Sequence, residues 1–386
     1  MKNKKLLMIP GPSPVTRSIQ NELGRETVAF GDPAFVAGFK ELLSDLKTLW
    51  HTTGEVFVVA GSGTLAMEMA IANSTKRGDN VLVVSHGYFG NRFTEICTAK
   101  GLQVDVLESS WGSIVTPETI ASQLSMKHYS VVTVTHVDTS TGVSAPIEEI
   151  GKIVSRHHDT LSVVDGVCAT GGEREYIDEM NIDLLLTGSQ KAFGVPPGIA
   201  VVWAGERALA RRKELGIIPE YYCDFNRWLP IMHDPSKYFA TPPVNMIWAM
   251  KEALSLIKNE GLDRRIVRHK KFALALQAAM EELGFRILAE QGCRASTLSC
   301  LLYPEGVDDM SFRSILAEEG VQVAGGIGAY AGKMFRLGHM GNIDTHDLVS
   351  VVGAIERTLH RLGRKVEFGK AAGILQQFLT RTDTEL

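Results

Sequence analysis

Residues 182–198 constrain the fold of this chain more than any other stretch, because they place one lysine between two buried segments. The stretch opens as a short apolar run, which is typical of a buried strand. Small polar residues at 187–189 end this run, Lys191 follows, and residues 196–198 (Pro-Pro-Gly) lead into a second apolar run. Desolvation disfavours the charged form of an amine and leaves a nucleophile able to form a Schiff base. Considered alone, the stretch is better explained by a lysine that points to solvent from a loop. The rest of the chain decides between this and a buried, reactive lysine.

The composition describes a large and nearly neutral protein. The chain has 386 residues, 45% of them hydrophobic, which suffices for a large core and indicates two domains. Lys and Arg total 40 against 44 Asp and Glu, so the net charge of -4 does not indicate binding to nucleic acid or to an anionic membrane. Five cysteines without a Cys-x-x-Cys pair fit a reducing compartment. Since no apolar run suits a signal peptide or a membrane span, we expect a soluble cytoplasmic protein.

Apolar runs alternate with segments of helical spacing along the first two thirds of the chain. Strands are predicted in the lysine stretch and at 55–60, 80–84, 103–107, 130–135 and 161–164, with helices between them. This alternation favours an α/β fold with a mainly parallel sheet covered by helices on both faces. Near residue 260 the pattern changes to a few strands surrounded by helices. We therefore predict an extended N-terminal arm over 1–20, a large domain over 21–259 and a smaller α+β domain over 260–386.

An anion site is predicted where the strand at 55–60 meets the following helix. The first backbone N–H groups of a helix lack internal partners and lie at the positive end of its dipole. Gly63 lets an anion approach closely, and Ser62 and Thr64 add hydroxyl donors. A plain Gly-rich turn with a capped helix explains the motif equally well. The motif also fits a dinucleotide pattern, but the next strand ends at His86, without the acidic residue that this pattern requires.

Three further strand ends carry side chains that suit a planar ligand, and in open α/β sheets ligands bind at these ends. Phe89 can lie flat against a ring, although core packing is the commoner role of a single aromatic. Residues 136–142, which include Thr139, are dense in short hydrogen-bonding side chains, as turns often are. Asp165 ends an apolar run, where a carboxylate needs a cationic partner. A protonated pyridine nitrogen would serve, and so would a structural ion pair.

Arg336 lies in an apolar strand of the predicted small domain. A buried arginine usually holds a carboxylate, and its planar fork suits bidentate binding, although the partner could equally be a protein Asp or Glu. Together, the sequence offers an anion cradle, a ring-stacking aromatic, a deep carboxylate, a reactive lysine and a carboxylate-binding arginine. Phosphate, planar pyridinium and aldehyde describe pyridoxal 5′-phosphate. The arginine adds an amino-acid or keto-acid substrate.

With these features, the chain resembles the class V aminotransferases of pyridoxal-phosphate fold type I. It is most similar to the alanine–glyoxylate / serine–pyruvate aminotransferase group. The most specific motif is Gly-Ser-Gln-Lys at 188–191 with Pro-Pro-Gly at 196–198, and the resemblance extends from residues 10–14 to residues 336–338. It implies a large domain with a seven-stranded-type, mainly parallel sheet between helices. It also implies a homodimer with shared active sites.

The resemblance implies a role for each site residue. Lys191 would hold the cofactor covalently, Asp165 would partner its pyridine nitrogen, and Arg336 would clamp the substrate α-carboxylate. The implied cofactor contacts further include phosphate-binding residues, a ring-stacking residue, a residue near the ring hydroxyl and two residues that reach the neighbouring subunit's phosphate, namely Ser62, Gly63, Thr64, Gln190, Phe89, Thr139, Tyr238 and Thr241. No metal ligand is expected. Relatives often have histidine at Thr64, tryptophan at Phe89 and serine at Thr139, differences that bear on substrate choice more than on cofactor use.

The sequence thus predicts a transaminase with a ping-pong mechanism, in which Lys191 moves the α-proton as general base and acid. The expected pairs are alanine or serine with glyoxylate or pyruvate, because the matched motifs hold no obvious second arginine for a distal carboxylate. One alternative is 2-aminoethylphosphonate–pyruvate transamination, since residues 61–64 followed by Ala-x-Glu also resemble that branch. A second is a lyase of the cysteine desulfurase type, which requires a reactive cysteine on a mobile loop. A third is a catalytically silent subunit of a complex.

Overall fold

The computed structural model describes residues 5–382. Residues 1–4 of the predicted arm and 383–386 of the predicted small domain lie outside the described residues. The strands are β1 (Leu6–Leu7), β2 (Glu55–Gly61), β3 (Asn80–Ser85), β4 (Gln103–Glu108), β5 (Val131–Thr135), β6 (Val137–Asp138), β7 (Val143–Ser144), β8 (Leu161–Asp165), β9 (Leu184–Gly188), β10 (Gly198–Ala204), β11 (Arg286–Ile287), β12 (Leu298–Leu302), β13 (Val321–Gln322), β14 (Ala324–Gly325) and β15 (Met334–Gly338). The helices are α1 (Arg17–Leu23), α2 (Pro33–Leu49), α3 (Gly63–Ser74), α4 (Tyr88–Lys100), α5 (Pro117–Met126), α6 (Ile147–Val154), α7 (Glu206–Glu214), α8 (Phe225–His233), α9 (Val244–Glu260), α10 (Leu262–Glu282), α11 (Asp309–Glu318), α12 (Thr345–Arg361) and α13 (Lys370–Leu379).

The main sheet has seven strands in the order β2-β10-β9-β8-β5-β3-β4. β10 runs antiparallel to both of its neighbours, and the other pairs in the sheet are parallel. Every residue of β5, β8 and β9 is buried, because helices cover both faces of a sheet of this kind. The predicted α/β fold with a mainly parallel seven-stranded sheet is therefore confirmed.

Helices α2 and α5 begin at capping residues that the sequence displays. Asp32 caps α2 by accepting hydrogen bonds from the first-turn N–H groups, and Pro33 occupies the first helical position. α2 then buries one face through six residues, which pack against the core of the main sheet. The helix expected between the predicted strands at 103–107 and 130–135 is observed as Pro117–Met126, with Thr116 as its cap. Within residues 5–382, no helix combines the length and the apolar character needed to cross a membrane.

A second sheet of four antiparallel strands, in the order β11-β12-β15-β14, occupies the C-terminal part of the chain. It has its own hydrophobic core, in which the rings of Phe285, Phe312 and Phe335 lie 5.0 to 5.6 Å apart between centroids. The long helix α10 supplies apolar residues to this core, so the sheet and its helices pack as a unit of their own. The exact domain bounds stay predictions.

The N-terminal segment joins the two parts of the molecule. β1 pairs in parallel with β13, and Gly338 N–H donates to Met8 O at 2.8 Å, so the segment starts on the C-terminal part. It then crosses to the main sheet, where Ser13 N–H donates to Gln190 O at 2.9 Å. From Arg17 onward the chain is helical, in a stretch for which the sequence predicts an extended arm. Thr16 caps this helix with its side chain, a local signal that the proline-rich sequence before it conceals.

Candidate active site

The carboxyl ends of five parallel strands lie at one edge of the main sheet. β2, β3, β5, β8 and β9 all run in the same direction, since β10 is antiparallel to both β2 and β9. The segments after these strands contain most of the predicted site residues, which are thereby brought together from positions more than 100 residues apart. The topology therefore builds a single site from short, separate motifs.

Lys191 lies just beyond β9 and is only 8% exposed. Its Nζ donates to Pro10 O and lies 3.5 Å from Thr139 Oγ1 and 3.8 Å from Cys168 Sγ. The N-terminal segment packs directly on the lysine, and a Cβ on Gly11 (φ +105°) would come within 2.6 Å of Lys191 Cδ. The amine is thus held in a dry, enclosed position without a carboxylate partner among the described residues.

Asp165 ends β8 and is 3% exposed. One carboxylate oxygen accepts the Val167 N–H at 2.8 Å, and the other is only 3.5 Å from the Thr135 hydroxyl. Burial raises the pKa of Asp165 to about 7, and the charge of Asp138 adds to this rise. An oxygen with so little hydrogen bonding is available to a cationic N–H donor, which would restore the ionised form.

The predicted anion cradle is the N-terminus of α3. Ser62 is the capping residue, and its side chain accepts the Leu65 N–H at 3.5 Å. Leu65 and Ala66 use their N–H groups inside this turn, whereas the N–H groups of Gly63 and Thr64 have no partner among residues 5–382. A Cβ on Gly63 would lie 2.7 Å from a methyl group of Val167, so only glycine fits. These free donors at a helix N-terminus suit a phosphate.

Gln190 and Phe89 complete the walls of this region. The side-chain oxygen of Gln190 is buried and has no hydrogen-bond partner among the described residues, so it can accept a hydrogen bond from a donor group of a ligand. Phe89 lies in the first turn of α4, where its N–H and that of Gly90 both donate to Asp138 Oδ2 at 3.0 Å. Asp138 thereby fixes the position of the aromatic ring, a role that the sequence analysis did not identify.

A cavity of about 300 Å³ lies among these residues. Eight of the eleven predicted site residues line it, namely Ser62, Gly63, Thr64, Phe89, Thr139, Asp165, Gln190 and Lys191. Its volume is that of a small-ligand pocket. Together with the free α3 donors and the available Asp165 oxygen, the cavity fits pyridoxal 5′-phosphate.

Arg336 approaches the cavity from β15, in the second sheet. Its Nε donates to Gly325 O at 2.8 Å and its Nη1 to Thr139 O at 3.3 Å. No Asp or Glu side chain of residues 5–382 forms an ion pair with Arg336. The alternative that Arg336 holds a protein carboxylate is therefore not observed among the described residues. Because only two of the five guanidinium N–H groups are used, the remainder can bind a carboxylate.

Tyr238 and Thr241 are exposed and do not line the cavity of their own chain. The Tyr238 ring is 63% exposed and lies 5.3 Å from the ring of Phe30. Their predicted contact with a neighbouring subunit's phosphate stays a prediction.

Arg92 and Cys168 also line the cavity, and the sequence analysis overlooked both. Arg92 Nη1 donates to Thr64 Oγ1 at 3.2 Å, and its guanidinium carbon lies 4.8 Å from the centroid of Phe89. A signal existed for Arg92, because residues three apart on a helix share a face and Phe89 was already assigned. For Cys168 the sequence carries no comparable signal.

Comparison with known proteins agrees with this geometry. Residues 31–341 match the family described as aminotransferase class-V. An uncharacterized aminotransferase of Methanocaldococcus jannaschii is 36% identical and the match covers 94% of this chain and 95% of that protein. Alanine–glyoxylate aminotransferase 1 of Saccharomyces cerevisiae is 34% identical over 88% of this chain and 93% of that protein. A Synechococcus protein named soluble hydrogenase, small subunit, is 34% identical over 97% of both chains.

Solved structures support the same assignment. The crystal structure of ureidoglycine–glyoxylate aminotransferase from Bacillus subtilis superimposes with a TM-score of 0.93 at 29% identity and covers 99% of both chains. The chain belongs to the class-V aminotransferase family, and it is a pyridoxal-5′-phosphate-dependent aminotransferase of fold type I in the group of the alanine–glyoxylate and serine–glyoxylate enzymes.

Proposed function

We propose that this enzyme transfers the amino group of alanine or serine to glyoxylate or pyruvate by a ping-pong mechanism. The observation that carries the proposal is the Arg336 guanidinium, which contacts Thr139 at the cavity wall and has no acidic partner among the described residues. Its free N–H groups suit the α-carboxylate that amino acids and 2-oxo acids share. Relatives named alanine–glyoxylate and serine–glyoxylate aminotransferases support this class of substrates.

Three residues carry the reaction in this proposal. Bound pyridoxal phosphate supplies an aldehyde that takes up the amino group and a ring that withdraws electrons from the α-carbon. Lys191 Nζ removes the proton from the substrate α-carbon as general base and returns a proton as general acid. Asp165 keeps a proton on the pyridine nitrogen, because its buried carboxylate is stabilised by a cation there. Arg336 orients the substrate so that its α-proton faces the lysine.

The remaining cavity residues hold the cofactor. Ser62, Gly63, Thr64 and Gln190 would bind its phosphate, through the free N–H groups of α3, the two hydroxyl groups and the Gln190 amide N–H₂ group. Phe89 would lie against the ring. Thr139, whose hydroxyl is 3.5 Å from Lys191 Nζ, would lie near the ring hydroxyl. The enclosed position of the lysine supports exclusion of water from the reacting atoms.

We also infer a cytoplasmic homodimer with shared active sites. Tyr238 and Thr241 are exposed in the single chain, which supports a contact with a second copy. In this arrangement each subunit contributes these two side chains to the phosphate of the other subunit's cofactor. The cytoplasmic location is supported by five free cysteines, all of them buried.

The lyase alternative lacks a nucleophile on an exposed loop. A desulfurase-type reaction requires a reactive thiolate on a mobile loop, whereas all five cysteines of this chain are buried. Cys168 lines the cavity, but it lies in a buried turn after β8. Burial raises the pKa of Cys97 to about 12 and that of Cys223 to about 11, so both remain thiols at neutral pH. A silent subunit would have no use for a lysine and a carboxylate that line one cavity, or for an arginine that contacts the Thr139 wall of that cavity.

The 2-aminoethylphosphonate alternative makes a different demand on Arg336. That donor has no α-carboxylate, so Arg336 would assist only the pyruvate half of the reaction. With alanine or serine as donor, the same guanidinium serves both halves. Loss of Arg336 therefore distinguishes the two reactions. With alanine or serine as donor it impairs the use of donor and acceptor, and with 2-aminoethylphosphonate it impairs the use of pyruvate alone.

The proposal is tested by an amino-donor screen on purified holoenzyme. Alanine, serine, aspartate, glutamate and 2-aminoethylphosphonate are each paired with glyoxylate and with pyruvate, and Lys191→Ala serves as the inactive control. We expect turnover with alanine and serine and much less with the dicarboxylic donors. Exclusive use of 2-aminoethylphosphonate or of a dicarboxylic donor would contradict the proposed substrates.

A further inference from the structure

Arg92 is a cation at the cofactor cavity that has no assigned role. It lies on α4, is half-buried and lines the cavity. Its Nη1 donates to Thr64 Oγ1 at 3.2 Å, and its guanidinium carbon lies 4.8 Å from the Phe89 centroid and 5.6 Å from that of Tyr88. No Asp or Glu side chain of the described residues forms an ion pair with Arg92. The guanidinium is thus held by a hydroxyl and two rings, and its charge is left uncompensated.

The proposed phosphate cradle, by contrast, lacks a positively charged side chain. Ser62, Gly63, Thr64 and Gln190 are all uncharged, so the protein offers a phosphate dianion only neutral donors and the partial charge of a helix N-terminus. A dianion that leaves water needs a cationic partner. Apart from Arg92, Lys191 is the only Lys or Arg of the described residues that lines the cavity, and its amine is committed to the aldehyde end of the cofactor.

We propose that Arg92 is the counter-cation of the cofactor phosphate. The inference rests on the proposed cradle. Arg92 contacts Thr64, so it can reach the phosphate only if the phosphate lies at Ser62–Thr64. An arginine suits this position better than a lysine, since the planar guanidinium can stack on Phe89 and still direct separate N–H groups to Thr64 and to an oxyanion. The same side chain thereby fixes the Thr64 hydroxyl and the Phe89 ring.

The inference predicts that Arg92 governs cofactor retention. Charge-assisted hydrogen bonds are the strong ones, and loss of one or two of them should raise the Kd of pyridoxal phosphate by about 10- to 100-fold in Arg92→Gln. Arg92→Lys should keep part of the affinity, because it retains the charge and loses the fork. Inorganic phosphate should compete with rebinding of the cofactor to the wild-type protein and much less to Arg92→Gln.

The measurement is cofactor occupancy of the full-length protein after dilution and rebinding, followed by absorbance, with phosphate as competitor. Arg381→Gln is the matched control, because Arg381 also lies over a ring, 3.6 Å from the Phe378 centroid, but follows the end of α13 and does not line the cavity. Circular dichroism establishes that each variant is folded, and Thr64→Val provides an independent perturbation of the same contact. We expect Thr64→Val to weaken cofactor binding less than Arg92→Gln does.

The outcomes separate this inference from the proposals on which it rests. If Arg92→Gln and wild type bind the cofactor and phosphate equally, Arg92 is not the counter-cation, while the cradle stands. If Arg92→Gln retains the cofactor and instead loses turnover of dicarboxylic donors, the guanidinium serves a substrate anion and the inference is wrong. If phosphate fails to compete even in wild type, the cradle itself is misplaced.

Discussion

Arg336 Nη1 donates a hydrogen bond to the carbonyl oxygen of Thr139, 3.3 Å away, and the Thr139 hydroxyl lies 3.5 Å from Lys191 Nζ. One residue therefore stands between the proposed carboxylate clamp and the proposed general base. An amino acid held by Arg336 would present its α-carbon on the Thr139 side of the cavity, towards the lysine. This relationship links the second sheet to the chemistry of the first.

The first prediction follows from the unpaired guanidinium. Arg336→Ala should raise the KM for alanine and for glyoxylate alike by about 10- to 100-fold, since each substrate loses charge-assisted hydrogen bonds to its carboxylate. Cofactor occupancy should not change, because the phosphate cradle lies on other elements. Steady-state kinetics and absorbance of the bound cofactor measure the two effects. Lys270→Ala, which removes an exposed cation from helix α10, is the control.

A second prediction concerns the loop that holds Arg336. Gly325 O accepts the Arg336 Nε hydrogen bond, and further along this loop the Tyr330 ring stacks on Trp111 with 5.3 Å between centroids. Gly328 packs against the same indole, where a Cβ would lie 2.9 Å from it. The stack attaches the loop to Trp111. Without it, we expect the loop to become more mobile and the Arg336 guanidinium to be held less firmly in place.

We therefore expect Tyr330→Ala and Trp111→Ala to raise the KM for both substrates by about 2- to 10-fold, the value of one aromatic pair. Tyr330→Phe keeps the ring and should behave like wild type. Equal losses in Tyr330→Phe and Tyr330→Ala would mean that the hydroxyl, and not the stack, matters.

The third prediction uses the buried carboxyl of Asp165. Asp165→Asn should keep the fold and much of the cofactor but lose activity on the order of 100-fold, because an amide does not hold the proton on the ring nitrogen. Near-normal turnover in this variant would make Asp165 a structural residue.

The same residue should leave a signature in stability. In the cofactor-free protein, burial raises the pKa of Asp165 from 3.8 to about 7, so the folded state retains a proton that the unfolded chain releases. The stability contributed by this group is fully present at low pH and is lost as pH rises towards 7. The free energy of unfolding of Asp165→Asn should therefore rise relative to that of wild type by up to about 4 kcal/mol between about pH 4 and pH 8. Urea unfolding of both proteins measures this difference.

The fourth prediction concerns the lysine. Purified holoenzyme should be yellow, and borohydride should fix the cofactor covalently on Lys191, the only lysine that lines the cavity within residues 5–382. Peptide mapping by mass spectrometry identifies the labelled residue. A label on another lysine, or protein that binds no cofactor, would remove the basis of the proposed mechanism.

Local patterns predicted the main sheet well because its buried strands are apolar runs bounded by small or charged residues. The strand predicted at 80–84 is observed at Asn80–Ser85, and the strand predicted at 161–164 at Leu161–Asp165. The short helix α1 was missed, since seven residues carry little periodicity and prolines precede them. α7 and α8, over 206–214 and 225–233, were likewise not predicted.

Some features of the candidate site could likewise be predicted from local sequence, and others could not. Ser62 and Asp165 could be found because each stands at the end of a strand, where a rule of topology applies. The contact of Arg336 with Thr139 joins residues 197 positions apart, and no spacing in the sequence encodes it. The closure of the N-terminal segment over Lys191 through Pro10 and Gly11 depends likewise on tertiary packing. The placement of these residues at strand ends around one cavity was therefore predictable, and contacts between the two parts of the molecule were not.

The last prediction tests the shared active sites. Tyr238 and Thr241 are exposed in the single chain, so in a dimer with shared sites they would act on the partner's cofactor. Tyr238→Phe and Thr241→Ala should then weaken cofactor retention although neither residue lines the cavity of its own chain. A matched substitution on the remote surface, Met310→Ala at a residue that is 75% exposed, should leave retention unchanged.

Subunit mixing makes the test decisive. A Thr241 variant that is inactive at limiting cofactor is mixed with inactive Lys191→Ala, and subunits are allowed to exchange. In a mixed dimer with shared sites, one site carries both defects and the other carries neither, because Lys191 comes from one subunit and Thr241 from its partner. Activity should therefore return, up to one intact site per mixed dimer. If native mass spectrometry detects mixed dimers and no activity returns, Tyr238 and Thr241 act within their own chain and the sites are not shared.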